Sequence, residues 1–187
     1  MKDCTIIIGS YRSGTSVIAK ILNSLGINMG ERENANDNPD WYPTGSFNDK
    51  YTRYIYTNPK NYWDLKLKTV QQGKIGTRSF EFLKKDAWNK FISETSIQTS
   101  IIWAKRNINK ANIEYSMLMG DQAFPDTIEK QYNTAENIFN NFSGRKLIVN
   151  YSDLMQNTES TAKQIAAFCG VFYIDGCING ITPKFLE

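Results

Sequence analysis

Short β-branched runs alternate along this chain with stretches whose apolar residues recur every three or four positions. Thr5-Ile6-Ile7-Ile8 is unbroken until Gly9 and reads as a buried strand. Val17, Ile18, Ile21, Leu22 and Leu25 then recur at helical spacing, so Ser16–Leu25 reads as a helix, with Gly26 as its stop. The same reasoning predicts strands over Lys74–Phe80, Ser100–Ala104 and Lys146–Asn150. It predicts helices over Phe47–Thr57 (ended by Asn58-Pro59), Asp86–Glu94, Ile108–Met119, Pro125–Phe142 and Glu159–Phe168, the last closed by Gly170. Between Asn28 and Gly45 the composition shifts to Asn, Asp, Glu, Pro and Gly. A loop of that length in a compact domain is usually functional or mobile.

Strands alternating with helices imply βαβ units. The expected fold is α/β, a three-layer sandwich around a mostly parallel central sheet, like that of the P-loop NTPases. No repeat or low-complexity tract divides the chain, so residues 1–187 read as one domain. Its hydrophobic fraction of 41% is ordinary for a globular protein, and that length buries a core without metal or disulfide staples.

Charge and composition narrow the chemistry. A net charge of +3, with no polybasic run, suits an anionic small molecule better than a nucleic acid or a membrane surface. The apolar run before Gly9 is too short for a signal sequence or a membrane span. Cys4, Cys169 and Cys177 have no CxxC or Cys/His spacing and read as thiols in a reducing compartment, so a cytoplasmic setting is expected. The chain contains no histidine. Ser-His-Asp and Cys-His catalysis and His-ligated metals are therefore excluded, and a general base has to be Asp, Glu, Lys or Tyr.

The informative stretch is Gly9-Ser10-Tyr11-Arg12-Ser13-Gly14-Thr15-Ser16, between the first strand and the first helix. Its G-x4-G-T-S spacing keeps both glycines and the terminal hydroxyl of a P-loop, with Thr15 in the lysine position. Glycines allow backbone N–H groups to wrap an anion, and the following helix adds about half a positive charge at its N-terminus. Ser13, Thr15 and Ser16 offer hydroxyls. Arg12 supplies a cation able to grip two oxygens at once. Without the lysine, a donor that needs no metal is favoured.

Tyr11-Arg12-Ser13-Gly14-Thr15-Ser16 resembles the phosphosulfate loop of the PAPS-dependent sulfotransferases. The resemblance implies that Ser10 to Ser16 hold the 5′-phosphosulfate of 3′-phosphoadenosine 5′-phosphosulfate (PAPS), leaving adenosine 3′,5′-bisphosphate (PAP) as product. Arg12 would stabilise charge on the leaving phosphate. Further segments agree in order: Asn38-Pro39 through Asn48 with the family's N-P-x-G-x-F-E loop, Lys105-Arg106-Asn107 with its R-N-P element, and Asn150–Leu154 with Thr158–Val171 with its Y-E-D-L strand end and F-x-G-V helix. Arg106 is then the implied ligand of the 3′-phosphate. The family's partner serine lies eight residues on, at Glu114 in this chain, where a carboxylate would repel phosphate. The nearest serine, Ser116, is about 200° further round an ideal helix.

Relatives that use a glutamate base place it where Gly30-Glu31-Arg32-Glu33 stands, so Glu33, then Glu31, then Asp49 are the implied bases. Trp41, Tyr42, Tyr51, Tyr54, Tyr56 and Trp63 would suit a phenolic or glycan acceptor, or belong to the core. The short chain suggests a minimal enzyme, or a homo-oligomer whose second subunit completes the acceptor site. Two other readings stay open: a P-loop small-molecule kinase, and a nucleotide-binding module that has lost catalysis.

Overall fold

The computed structural model describes residues 3–30, 58, 74–78, 80–84, 87–94, 97–120, 126–179 and 181. Strands β1 (Asp3–Ile8), β2 (Ile75–Arg78), β3 (Gln98–Lys105) and β4 (Arg145–Asn150) form one sheet in the order β2-β1-β3-β4, and all three pairings are parallel. The described helices are α1 (Thr15–Ser24), α2 (Ala87–Glu94), α3 (Ile108–Met119), α4 (Asp126–Asn141), α5 (Tyr151–Gln156) and α6 (Thr158–Cys169). This is the expected α/β sandwich. No described helix is long and apolar enough to cross a membrane.

Side chains on a strand alternate between its faces, and the core divides accordingly. Ile7, Ile102, Ala104 and Val149 pack with α1, α5 and α6 on one side of the sheet. Cys4, Ile6, Ile8, Ile101 and Trp103 pack with α2 and α4 on the other. Both faces are covered, which is why the strands read as continuous apolar runs instead of alternating ones.

Two expectations shift. The strand foreseen over Lys74–Phe80 stops at Arg78, and a 3₁₀ turn follows over Phe80–Leu83. That turn delivers Phe82, fully buried, edge-on to Phe91 with ring centroids 4.8 Å apart. Helix α5 was not foreseen: at six residues it is too short to show a period, and it leads directly from β4. The helix expected over Phe47–Thr57 lies outside the described residues.

The strand order fixes where a ligand belongs. From β1 the chain passes to β2 on one side, and from β3 it passes to β4 on the other. The carboxyl ends of β1 and β3 therefore flank a topological switch point, the crevice where open parallel sheets bind ligands. Gly9–Ser16 leaves one strand there and Arg106-Asn107 leaves the other.

Ile102 is wholly buried on the central strand β3. Replacing it with Ala should cost about 2–5 kcal/mol, the usual range for deleting this much core volume. Urea denaturation should show a lower midpoint with an unchanged m-value.

Candidate active site

The loop after β1 is shaped by close approach. A Cβ on Gly9 would lie 2.6 Å from Ser13 Oγ and 2.8 Å from the Ala104 carbonyl on β3. Gly14, at φ 92°, occupies the left-handed region at the N-cap of α1, and a Cβ there would lie 2.9 Å from the Tyr151 ring. Between them the Ser13 N–H and hydroxyl both donate to the Ser10 carbonyl, at 3.3 and 2.7 Å, and close the turn. Ser13 is thus used within the loop. Among the described residues no side chain caps α1, and the first backbone bond there runs from Ile18 N–H to the Gly14 carbonyl. That end of α1 carries the partial positive charge of a helix N-terminus.

Four long side chains converge on this loop. Arg12, at φ 61°, is the one non-glycine residue with positive φ among those described. Its guanidinium donates through Nε (2.8 Å) and Nη2 to Glu114 Oε1, on α3. Arg106 donates through Nη1 to the other oxygen of Glu114 and to the Arg12 carbonyl, the latter at 2.7 Å. A single carboxylate thus bridges two guanidinium groups, with the Arg106 and Glu114 side chains only 8% and 11% exposed. Arg106 also stacks on Tyr151, 3.9 Å from guanidinium carbon to ring centre. Its Nε is buried and has no hydrogen-bond partner among the described residues, an unusual condition for a charged donor. From the other side Arg78, buried at the end of β2, donates from Nε to Thr15 Oγ1 at 2.9 Å.

Tyr11 anchors the loop outward. Its N–H donates to Gln131 Oε1 at 2.8 Å, and its ring stacks on Tyr115 with centroids 5.7 Å apart. Burial pushes the Tyr151 phenol above its ordinary range, while the neighbouring Arg106 draws it down, so it stays protonated near neutrality. Beside Arg106 opens a pocket of about 720 Å³, lined among others by Lys105, Lys110, Tyr132, Asn150 and Tyr151. A nucleoside-sized ligand fits that volume.

The structure therefore gathers Ser10, Tyr11, Arg12, Ser13, Gly14, Thr15, Ser16 and Arg106 at one edge of the sheet. Ser116 is exposed on α3, two residues beyond the buried Glu114 and on a different face of the helix. Glu31, Glu33 and Asp49, and the aromatics from Trp41 to Trp63, lie outside the described residues. The described chain up to Gly30 does head toward the loop edge. After α1, Asn28 bridges Ile75 in parallel, so the segment runs alongside β2 in the direction of Arg78.

Three contributors were not singled out from sequence. Arg78 had a readable cue, a cation at the C-terminal end of a parallel strand. Tyr151 had a weaker one, an aromatic at the end of β4. The pairing of Glu114 with Arg12 spans 102 residues and left no local mark. The cysteines stand apart from the site: all three are buried, and burial pushes the Cys169 and Cys177 thiols up, away from reactive thiolate.

No protein-family model matches this chain, and no curated protein does. Solved structures do. A sulfotransferase domain from a Synechococcus olefin synthase superposes with TM-score 0.65 at 16% identity, covering 97% of this chain and 78% of that one. The fold is that of the sulfotransferases. A sulfotransferase domain from the curacin biosynthetic pathway (TM-score 0.61, 12% identity) covers 97% and 78% of the two chains. A sulfotransferase from Mycobacterium avium (TM-score 0.61, 12% identity) covers 96% and 67%.

Gly14→Ala should strain the left-handed N-cap and press on Tyr151, costing about 1–3 kcal/mol. It should also weaken inorganic sulfate binding, measured by titration, whereas Gly26→Ala, at the far end of α1 with open space around it, should leave sulfate affinity unchanged.

Proposed function

We propose that this chain is a sulfotransferase. In this reading it moves a sulfuryl group from a nucleotide 5′-phosphosulfate to a hydroxyl or amine of a small-molecule or glycan acceptor. PAPS is the donor that the family resemblance implies. The observation that carries the reading is the set of three arginines around the loop that opens α1, with Arg12 within it, Arg106 on the Arg12 carbonyl and Arg78 on Thr15, at the switch point of a sulfotransferase fold. A phosphosulfate is a spread anion, and preorganised guanidinium and N–H donors suit it.

The chemistry is an in-line displacement. The acceptor oxygen bonds to sulfur while the bond from sulfur to the bridging oxygen breaks, and the electron pair leaves with the nucleotide phosphate. Arg12, with Arg78 beside Thr15, would stabilise that developing charge. The acceptor proton goes to a carboxylate, with Glu33, Glu31 and Asp49 as candidates in that order. A kinase would want an acid at a strand end for Mg²⁺. The described strands end in Ile8, Arg78, Lys105 and Asn150, which favours transfer without a metal. A cytoplasmic setting suits three buried thiols.

Arg12→Ala should lower kcat/KM by roughly 10²–10³, the cost of losing one preorganised donor to a developing anion. Glu33→Gln should lower turnover by ~10²–10⁴ while leaving product-nucleotide affinity nearly unchanged. If Glu33→Gln and Glu31→Gln keep full activity and Asp49→Asn abolishes it, the base is Asp49. Full activity in all three places the catalytic base elsewhere.

A further inference from the structure

Glu114 stands where a donor with a second phosphate would have most use for positive charge. Its two oxygens take the inner edges of both Arg12 and Arg106, and its side chain is only 11% exposed, so solvent screens it weakly. The pocket beside this cluster is lined by Arg106 and has room for the nucleoside of a donor whose sulfated end lies in the Gly9–Ser16 loop. Any second phosphate directed at Arg106 meets the Glu114 carboxylate on the same guanidinium. Lys105 and Lys110, also on that wall, are partly or fully solvent-facing and compensate less.

Resting on the sulfotransferase reading, we infer that Glu114 is a specificity-determining residue that removes most of the advantage of a ribose phosphate. The donor class of this chain is then adenosine 5′-phosphosulfates with or without a 3′-phosphate. Arg106 serves as a positioning residue: it holds the Arg12 carbonyl while its guanidinium stacks on Tyr151. Substituting Glu114 removes its carboxylate from both guanidinium groups and should restore a preference for the doubly phosphorylated nucleotide.

The test compares adenosine 5′-monophosphate with adenosine 3′,5′-bisphosphate by calorimetric titration of the wild type, Glu114→Ser and Glu114→Gln. The wild type should bind the two within about threefold of each other, and both variants should favour the bisphosphate by about tenfold or more, as expected when a like charge is removed beside a phosphate. Glu114→Gln keeps the shape and one acceptor oxygen if the serine variant fails to fold, and the wild-type ratio decides without either. A wild-type preference for the bisphosphate of about a hundredfold, unmoved by Glu114→Gln, would overturn this inference while leaving the sulfotransferase reading intact. Failure of both nucleotides to bind the wild type would overturn the reading itself, and the inference with it.

Discussion

The site depends on two guanidinium groups sharing one buried carboxylate. Arg12 sits in a backbone conformation that costs a non-glycine residue about 1–3 kcal/mol. That strain persists because Glu114 holds the Arg12 side chain while Arg106 holds its carbonyl. The arrangement is cooperative: removing one member of a buried ionic set typically costs about 3–5 kcal/mol, because the charges left behind are neither hydrated nor paired. The triad also ties three distant parts of the chain together, namely the loop after β1, the end of β3 and the middle of α3. The shape of the loop and the charge beside it therefore depend on the same three side chains.

The fold makes that meeting possible. Parallel strands place all their carboxyl ends at one edge, and the order β2-β1-β3-β4 opens a crevice between the two loops that carry Arg12 and Arg106. Arg78 reaches the same place from the other neighbour of β1, through its register opposite Ile7. Tyr151 arrives from β4 and supports both Gly14 and Arg106 with one ring. Every strand of the described sheet thus contributes at its end, and the apolar layers on both faces hold those ends in register.

Much of this was legible in the sequence because the decisive signals are local. The run Thr5–Ile8, the helical spacing from Val17 to Leu25 and the G-x4-G-T-S turn identify strand, helix and anion loop without reference to anything distant. The bounds of α3 match the expected Ile108–Met119, since Asn107 caps it by accepting from Lys110 N–H and Gly120 ends it. Short elements were harder. Helix α5 begins with Asn150 and Asp153 in side-chain contact at 3.0 Å, a start signal that its six residues are too few to reinforce. Glu114 was the deepest difficulty. Its sequence position suggested a repulsive intruder near a phosphate, and only the tertiary fold shows that its charge is met by Arg12 and Arg106. Tertiary ion pairs across a hundred residues leave no periodicity to read.

On the proposed reading, this edge of the sheet binds a nucleotide anion through arginines and backbone dipoles, without a metal. Thermal unfolding with adenosine 3′,5′-bisphosphate in EDTA, set against ATP with Mg²⁺, decides this. Saturation at a hundred times the dissociation constant stabilises by about 2.7 kcal/mol, a shift of a few degrees for a chain of this size. The bisphosphate should give this shift in EDTA, and added Mg²⁺ should change nothing. A shift seen only with ATP and Mg²⁺, and lost in EDTA, would mean a metal-dependent phosphotransferase site instead.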